Sequence, residues 1–154
     1  MSEHKDHASV KIHPPVLTFI FIFLAYLANW LIPLQFSMQW LRYLGFGIAI
    51  IGFLLPFFAI REFMKAKTTV NPHGSVSNII SSGIFRLSRN PIYVGFVLML
   101  IGFPLYSGTY WGLILSPVLV ICFNKLVIEH EEVYLEKKFG EQYTNYKSSV
   151  RRWL

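Results

Sequence analysis

The hydrophobic positions of this chain fall in long uninterrupted runs, not in alternation. Residues 16–34 carry no charge over about 19 positions, roughly 28 Å of helix and enough to cross a bilayer's hydrocarbon. Residues 44–60 form a second charge-free run, with Pro56 inside it. Residues 92–124 form a third, too long for one crossing. Gly102, Pro104 and Gly108 interrupt it, so it reads as a helical hairpin turning around residues 106–109. The expected fold is all-α: a polytopic membrane helical bundle of four transmembrane helices in two hairpins, the third helix short at about 15 residues. A cleavable signal peptide fits the first run poorly, because the run is too long and no small-residue cleavage site follows Leu34. Three separate runs of this length are also rare in soluble helical folds.

The polar segments complete the plan. Residues 1–15 are polar and end in two prolines, which reads as a disordered tail, with 16–154 as a single membrane domain. A loop over 61–90, rich in Ser, Thr, Asn and Gly, separates the hairpins, and loops of that length are usually functional or disordered. Leu126, Val127, Leu135 and Phe139 recur at helical spacing, so the last span continues out of the membrane toward a stop at Gly140. Tyr143, Tyr146 and Trp153 then lie among basic residues in a C-terminal amphipathic segment suited to the headgroup zone.

Composition agrees: hydrophobic residues make up 54%, charged ones 14%, and the net charge is +6. With four crossings, Arg42 is the one Lys or Arg left for the face opposite the termini. That bias predicts cytoplasmic N- and C-termini, in the inner membrane if the host is bacterial. Topology and anionic lipid account for the basic excess, so nucleic acid is not an expected partner. The single Cys122 lies inside a predicted helix, which excludes a disulfide framework.

Two stretches carry candidate chemistry. In "GIFRLSRNPIYVG", residues 83–95, the residue before proline is pushed out of helical geometry, so Asn90 is expected to cap a helix starting near Pro91. A helix N-terminus beside Arg86 and Arg89 suits a carboxylate or phosphate, against the plainer reading of interface anchors. In "EHEEVYLEKKFG", Glu131 and Glu132 lie about 100° apart on a helix, so only one points directly at a given site. Acidic groups at a membrane rim need a cation, supplied either by Arg86 or Arg89 or by a cationic ligand. A solvated charged face is the plainer alternative. His4, His7 and His13 permit only a weak metal site in a tail without an outer shell, so no metal is expected. Gly45, Gly47 and Gly52 read as close helix packing.

The stretch containing Thr69, Pro72, Gly83, Arg89–Pro91, Tyr93 and Gly95, followed by Glu131–Glu132, Leu135, Phe139–Gly140, Tyr143, Tyr146 and Trp153, resembles the isoprenylcysteine carboxyl methyltransferase family and its phospholipid methyltransferase relatives. The likeness covers about residues 66–154, which would carry the catalytic region. It implies an S-adenosylmethionine-dependent enzyme acting on a lipophilic or prenylated acceptor in contact with membrane lipids. The cofactor-binding residues it implies are Arg86, Arg89, Asn90, Pro91, Tyr93, Glu131 and Glu132, with Arg89, Glu131 and Glu132 catalytic. The best-known members have histidine where this chain has Asn90, which can hydrogen-bond but not titrate near neutrality. Carboxylate O-methylation is the leading expectation, with phospholipid-type amine N-methylation as the alternative. A small four-helix transporter, a lipid-binding adaptor and an NADPH-dependent sterol-reductase-like protein are the rivals.

Overall fold

The computed structural model describes residues 12–68 and 77–154. Among them all regular structure is helical, apart from one antiparallel bridge between Gln35 and Thr109. The first helix, α1 (Pro14–Leu31), begins two residues inside the segment expected to be a tail. Its two opening prolines occupy first-turn positions, where a missing N–H costs nothing and a fixed φ favours the helix. Residues 1–11 of that tail, with His4 and His7, lie outside the described residues, as do Thr69 and Pro72. Helix α1 buries Leu17, Phe21 and Ala25 at a spacing of four, while Phe19 and Trp30 stand 72% and 77% exposed on the other side. An apolar helix with an exposed apolar face is what lipid, not water, accommodates.

Helix α2 (Gln39–Lys65) overshoots its charge-free run at both ends, because backbone hydrogen bonding does not stop where charges begin. Helix α3 (Pro91–Ser107) is the short span, at 17 residues. The two run antiparallel with their backbones close. Gly45 faces Leu105 and Tyr106, Gly102 faces Ala49, and Gly95 faces Gly52 and Pro56. A Cβ on Gly52 would stand 2.8 Å from the Gly95 carbonyl oxygen and the Met99 amide. Small residues take this role because helices in lipid associate by close packing without a hydrophobic driving force. Gly47 departs from the expected packing role, since a Cβ there would meet nothing within 4 Å.

Gly108, at φ 93°, ends α3 in the left-handed region and starts the predicted turn. Helix α4 (Trp111–Phe123) follows, then a π-helical turn over Asn124–Ile128, then α5 (Glu129–Phe139) without a break. Helices α1, α2 and the continuous rod from Trp111 to Phe139 are each long and apolar enough to cross a membrane. Gly140 then admits the turn into α6 (Glu141–Ser149), with φ 52° and ψ −126°.

The two ends of the bundle differ. At one, the α1–α2 linker is stitched to the α3–α4 turn by Phe36 N–H on Gly108 O at 3.0 Å and Tyr110 N–H on Leu34 O at 3.1 Å. Arg42 lies against Gly108 at this end. The opposite end gathers a 3₁₀ turn (Gly83–Arg86), the start of α3, the acidic part of α5, α6 and the C-terminal residues.

Candidate functional site

The corner before α3 is built from its backbone. Asn90 occupies the N-cap position as expected, but its side chain does not cap the helix. Its carbonyl instead takes the N–H groups of Tyr93 at 3.0 Å and Val94 at 3.1 Å, and Ser88 Oγ takes the Asn90 N–H at 3.0 Å. Pro91 has no N–H, so among the described residues Ile92 keeps the one unpartnered backbone donor of this first turn. The expected set of free helix-end amides is therefore largely spent. The Asn90 carboxamide turns to the Arg152 carbonyl at 3.0 Å because that acceptor lies across from it.

Anion-binding capacity sits in Arg89. Its side chain is 9% exposed, and its Nη2 forms an ion pair with Glu132 Oε1 at 3.2 Å. Its Nε and Nη1 are buried without a partner. Buried guanidinium N–H groups left unpaired carry a desolvation cost, which an anionic ligand removes. Arg86, three residues earlier, stands exposed at the end of the 3₁₀ turn and forms no ion pair among the described residues.

The two glutamates have different surroundings. Glu132 is 6% exposed and held by cations on three sides. Arg152 grips it through Nε at 3.0 Å and Nη2 at 2.7 Å, Arg89 reaches it as above, and Lys147 Nζ lies 3.8 Å away. The Glu132 hydrogen bond holds the Arg152 guanidinium charged, its pKa raised above the ordinary value. Glu131, half-buried on the neighbouring face, accepts the Tyr93 hydroxyl at 2.8 Å and has no ion-pair partner among the described residues. Tyr93 is fixed in turn by stacking on Phe123, with ring centroids 5.2 Å apart. The π turn contributes to this division. It adds about one residue to a helical turn, which rotates everything after it by roughly 100° and sets where the acidic pair points.

Further participants come from the last residues, where sequence reasoning noted Tyr143 and Tyr146 within the resemblance and Arg152 as able to orient a carboxylate acceptor, but gave Lys147 no role. Tyr143, 3% exposed, feels both Glu132 and Arg89, and burial pushes its hydroxyl up to about 12. Tyr146 donates to Phe85 O at 2.7 Å and anchors α6 to the 3₁₀ turn. Lys147 and Arg152 close the charge balance. Their signal in the sequence was only the basic, aromatic character of the last residues.

Fold and site define a multi-pass integral membrane protein with a charged, partly buried centre at one end of its bundle. The sequence profile of the phospholipid methyltransferase family matches residues 40–142, and the chain belongs to that family. The family's enzymes use S-adenosylmethionine as methyl donor. Among named relatives, the protein-S-isoprenylcysteine O-methyltransferase of Schizosaccharomyces pombe is 27% identical over 107 residues, covering 62% of this chain and 45% of that one. A probable protein-S-isoprenylcysteine O-methyltransferase of Oryza sativa is 25% identical over 142 residues, covering 90% and 74%. An uncharacterized protein of Haemophilus influenzae is 36% identical over 63 residues, 41% of this chain and the whole of that protein. This chain thus spans under half the length of the yeast relative. No solved structure matches it significantly.

Proposed function

We propose that the rim formed by Arg89, Tyr93, Glu131 and Glu132 binds S-adenosylmethionine, and that the protein methylates the carboxylate of a prenylcysteine-like lipophilic acceptor. The observation that carries this reading is the Arg89 guanidinium, buried with Nε and Nη1 unpartnered. A donor with a carboxylate, an amine and a sulfonium needs both signs of charge at its site, and the groups present fit it. Arg89 supplies a planar fork for a carboxylate. Glu131 supplies an acidic group with no ion-pair partner among the described residues. Glu132 keeps Arg89 in place.

When bound, S-adenosylmethionine supplies an electrophilic methyl group. This chain's part is to position and enclose. The corner before α3 orients the arginine, Phe123 and Glu131 fix the Tyr93 ring, and α6 covers the site from the aqueous side. Holding two reactants in line converts a bimolecular step into a nearly unimolecular one, which supplies much of the acceleration in a displacement needing no enzymic nucleophile. An anionic acceptor gains from Arg89 and Arg152, two guanidinium groups that share the single carboxylate of Glu132, while Lys147 pairs mainly with Glu136. The uncompensated Glu131 favours a second reading, amine N-methylation, in which it takes the proton released. The excess of Lys and Arg at this end supports a cytoplasmic rim with both termini on that side.

Purified protein incubated with radiolabelled S-adenosylmethionine and, separately, a farnesylcysteine derivative or phosphatidylethanolamine tests the reading. Label in a base-labile ester on the farnesylcysteine is expected. Label only in the phospholipid amine replaces the first reading with the second, and label in neither contradicts both.

A further inference from the structure

Residues 151–153 are bonded to three parts of the rim. The Arg89 N–H donates to Arg151 O at 2.9 Å. Ser88 Oγ at 3.2 Å and Asn90 Nδ2 at 3.0 Å both donate to Arg152 O. The Arg152 guanidinium holds both oxygens of Glu132 on α5. Trp153 Nε1 donates to Asn124 Oδ1 at 3.2 Å, on the first residue of the π turn, and the indole packs on the main apolar core.

The polarity of these bonds is informative. A carbonyl oxygen only accepts, so the Asn90 carboxamide must present its NH₂ to Arg152 O. Ser88 Oγ is used in both directions, donating to the tail and accepting from Asn90 N. The Arg152 pairing has a consequence for Arg89. With its two oxygens taken by Arg152, Glu132 keeps Arg89 through Nη2 alone. Without Arg152, that carboxylate would draw Arg89 into the bidentate pairing guanidinium groups favour. One of the two nitrogens now without a partner, Nε or Nη1, would then be consumed.

We propose that residues 151–153 are a latch that completes the rim, that Asn90 is its catch, and that Arg152, once seated, keeps the Arg89 fork open. Asn90 and Arg152 are positioning residues acting through the tail. The proposal rests on the S-adenosylmethionine reading only for what the latch encloses. It also accounts for Asn90 at the family's histidine position. A neutral imidazole has an N–H to give the same carbonyl, whereas aspartate has none and sets a negative charge against it.

The test uses a chain of residues 1–154 in detergent and follows release of Leu154 and Trp153 by carboxypeptidase Y with intact-mass detection, beside calorimetry with S-adenosylmethionine. Asn90→Asp is expected to release the end about tenfold faster than wild type, the scale of one lost hydrogen bond plus an unsatisfied acceptor, and to weaken S-adenosylmethionine binding in step. Asn90→His should restore both. Trp153→Phe loses the indole N–H together with part of the ring that packs on the core, so it should also speed release, and it carries the test if Asn90→Asp does not fold. Digestion of both Asn90→Asp and Trp153→Phe at the wild-type rate overturns the latch, whatever the binding result. Faster release with unchanged affinity overturns its coupling to the site. If wild type binds no S-adenosylmethionine, the ligand reading fails while digestion still decides the latch.

Discussion

Arg152 closes on Glu132 with two hydrogen bonds, 3.0 Å from Nε to Oε1 and 2.7 Å from Nη2 to Oε2, across a sequence separation of 20 residues. That pairing makes Glu132 an anchor and leaves Glu131, without an ion pair among the described residues, as the proposed ligand-facing group. Glu132→Gln leaves Arg89, Arg152 and Lys147 facing a neutral amide, and breaking a buried ion pair from one side costs about 3 kcal/mol. The variant should melt several degrees below wild type in detergent. Glu131→Gln loses one neutral-to-charged hydrogen bond from Tyr93 and should melt close to wild type while losing S-adenosylmethionine affinity. Equal melting temperatures for the two variants would show that the division is wrong.

The helix seam gives an independent prediction. Gly95→Leu pushes a side chain into Pro56 and the Gly52 carbonyl, which cannot yield without separating α2 from α3. Overpacking of this kind costs about 1–3 kcal/mol. Gly47→Leu, where a Cβ meets open space, should cost far less. Thermal melts of the two variants compare them directly, and a Gly47→Leu penalty equal to that of Gly95→Leu contradicts the seam.

Much of this architecture was legible because its causes are local. A charge-free run long enough to cross a bilayer, a glycine at a turn and a proline at a helix start act over a few residues, and α1, α3 and the turn at Gly108 followed from them. The Asn90–Pro91 corner and the acidic pair were visible for the same reason. Arg86 and Arg89 looked equivalent in sequence, yet only Arg89 turns inward, since Arg86 ends a 3₁₀ turn on the exposed side. Arg89 was foreseen as a cation for the acidic pair, but Arg152 as a second partner of Glu132 was hidden because it arrives from a tail folded back across the rim. No apolar periodicity marks the π turn that sets the angle of α5, and Asn90 spends its side chain on that same tail instead of on the helix.

Alkaline titration probes α6. Burial raises the Tyr143 pKa to about 12 and moves Tyr146 upward as well, its hydroxyl also opposed by Tyr143. A raised folded-state value favours the neutral phenol in the native protein. Its contribution to stability is present below the ordinary value of about 10 and disappears as pH rises toward 12. Ultraviolet difference absorbance near pH 11 should show late-ionising tyrosines in native protein, one fewer in Tyr143→Phe. Ionisation of all tyrosines together near pH 10, with the helices intact, contradicts a buried Tyr143.

Topology is testable in cells. In a Cys122→Ser background, Ser37→Cys lies in the linker at the Arg42 end and Ser149→Cys at the rim end. A membrane-impermeant maleimide should label the first in intact cells and the second only after permeabilisation. The reverse pattern inverts the orientation.

Binding of S-adenosylmethionine to purified protein, followed by titration calorimetry in wild type, Arg89→Ala and Arg89→Lys, bears most directly on the charged rim as a methyl-donor site. Saturable binding by wild type is expected, weakened at least tenfold in Arg89→Ala by loss of the charge-assisted pair. Arg89→Lys should recover little, because an ammonium does not reproduce the fork. Wild-type affinity in Arg89→Ala, or no binding by wild type, contradicts it.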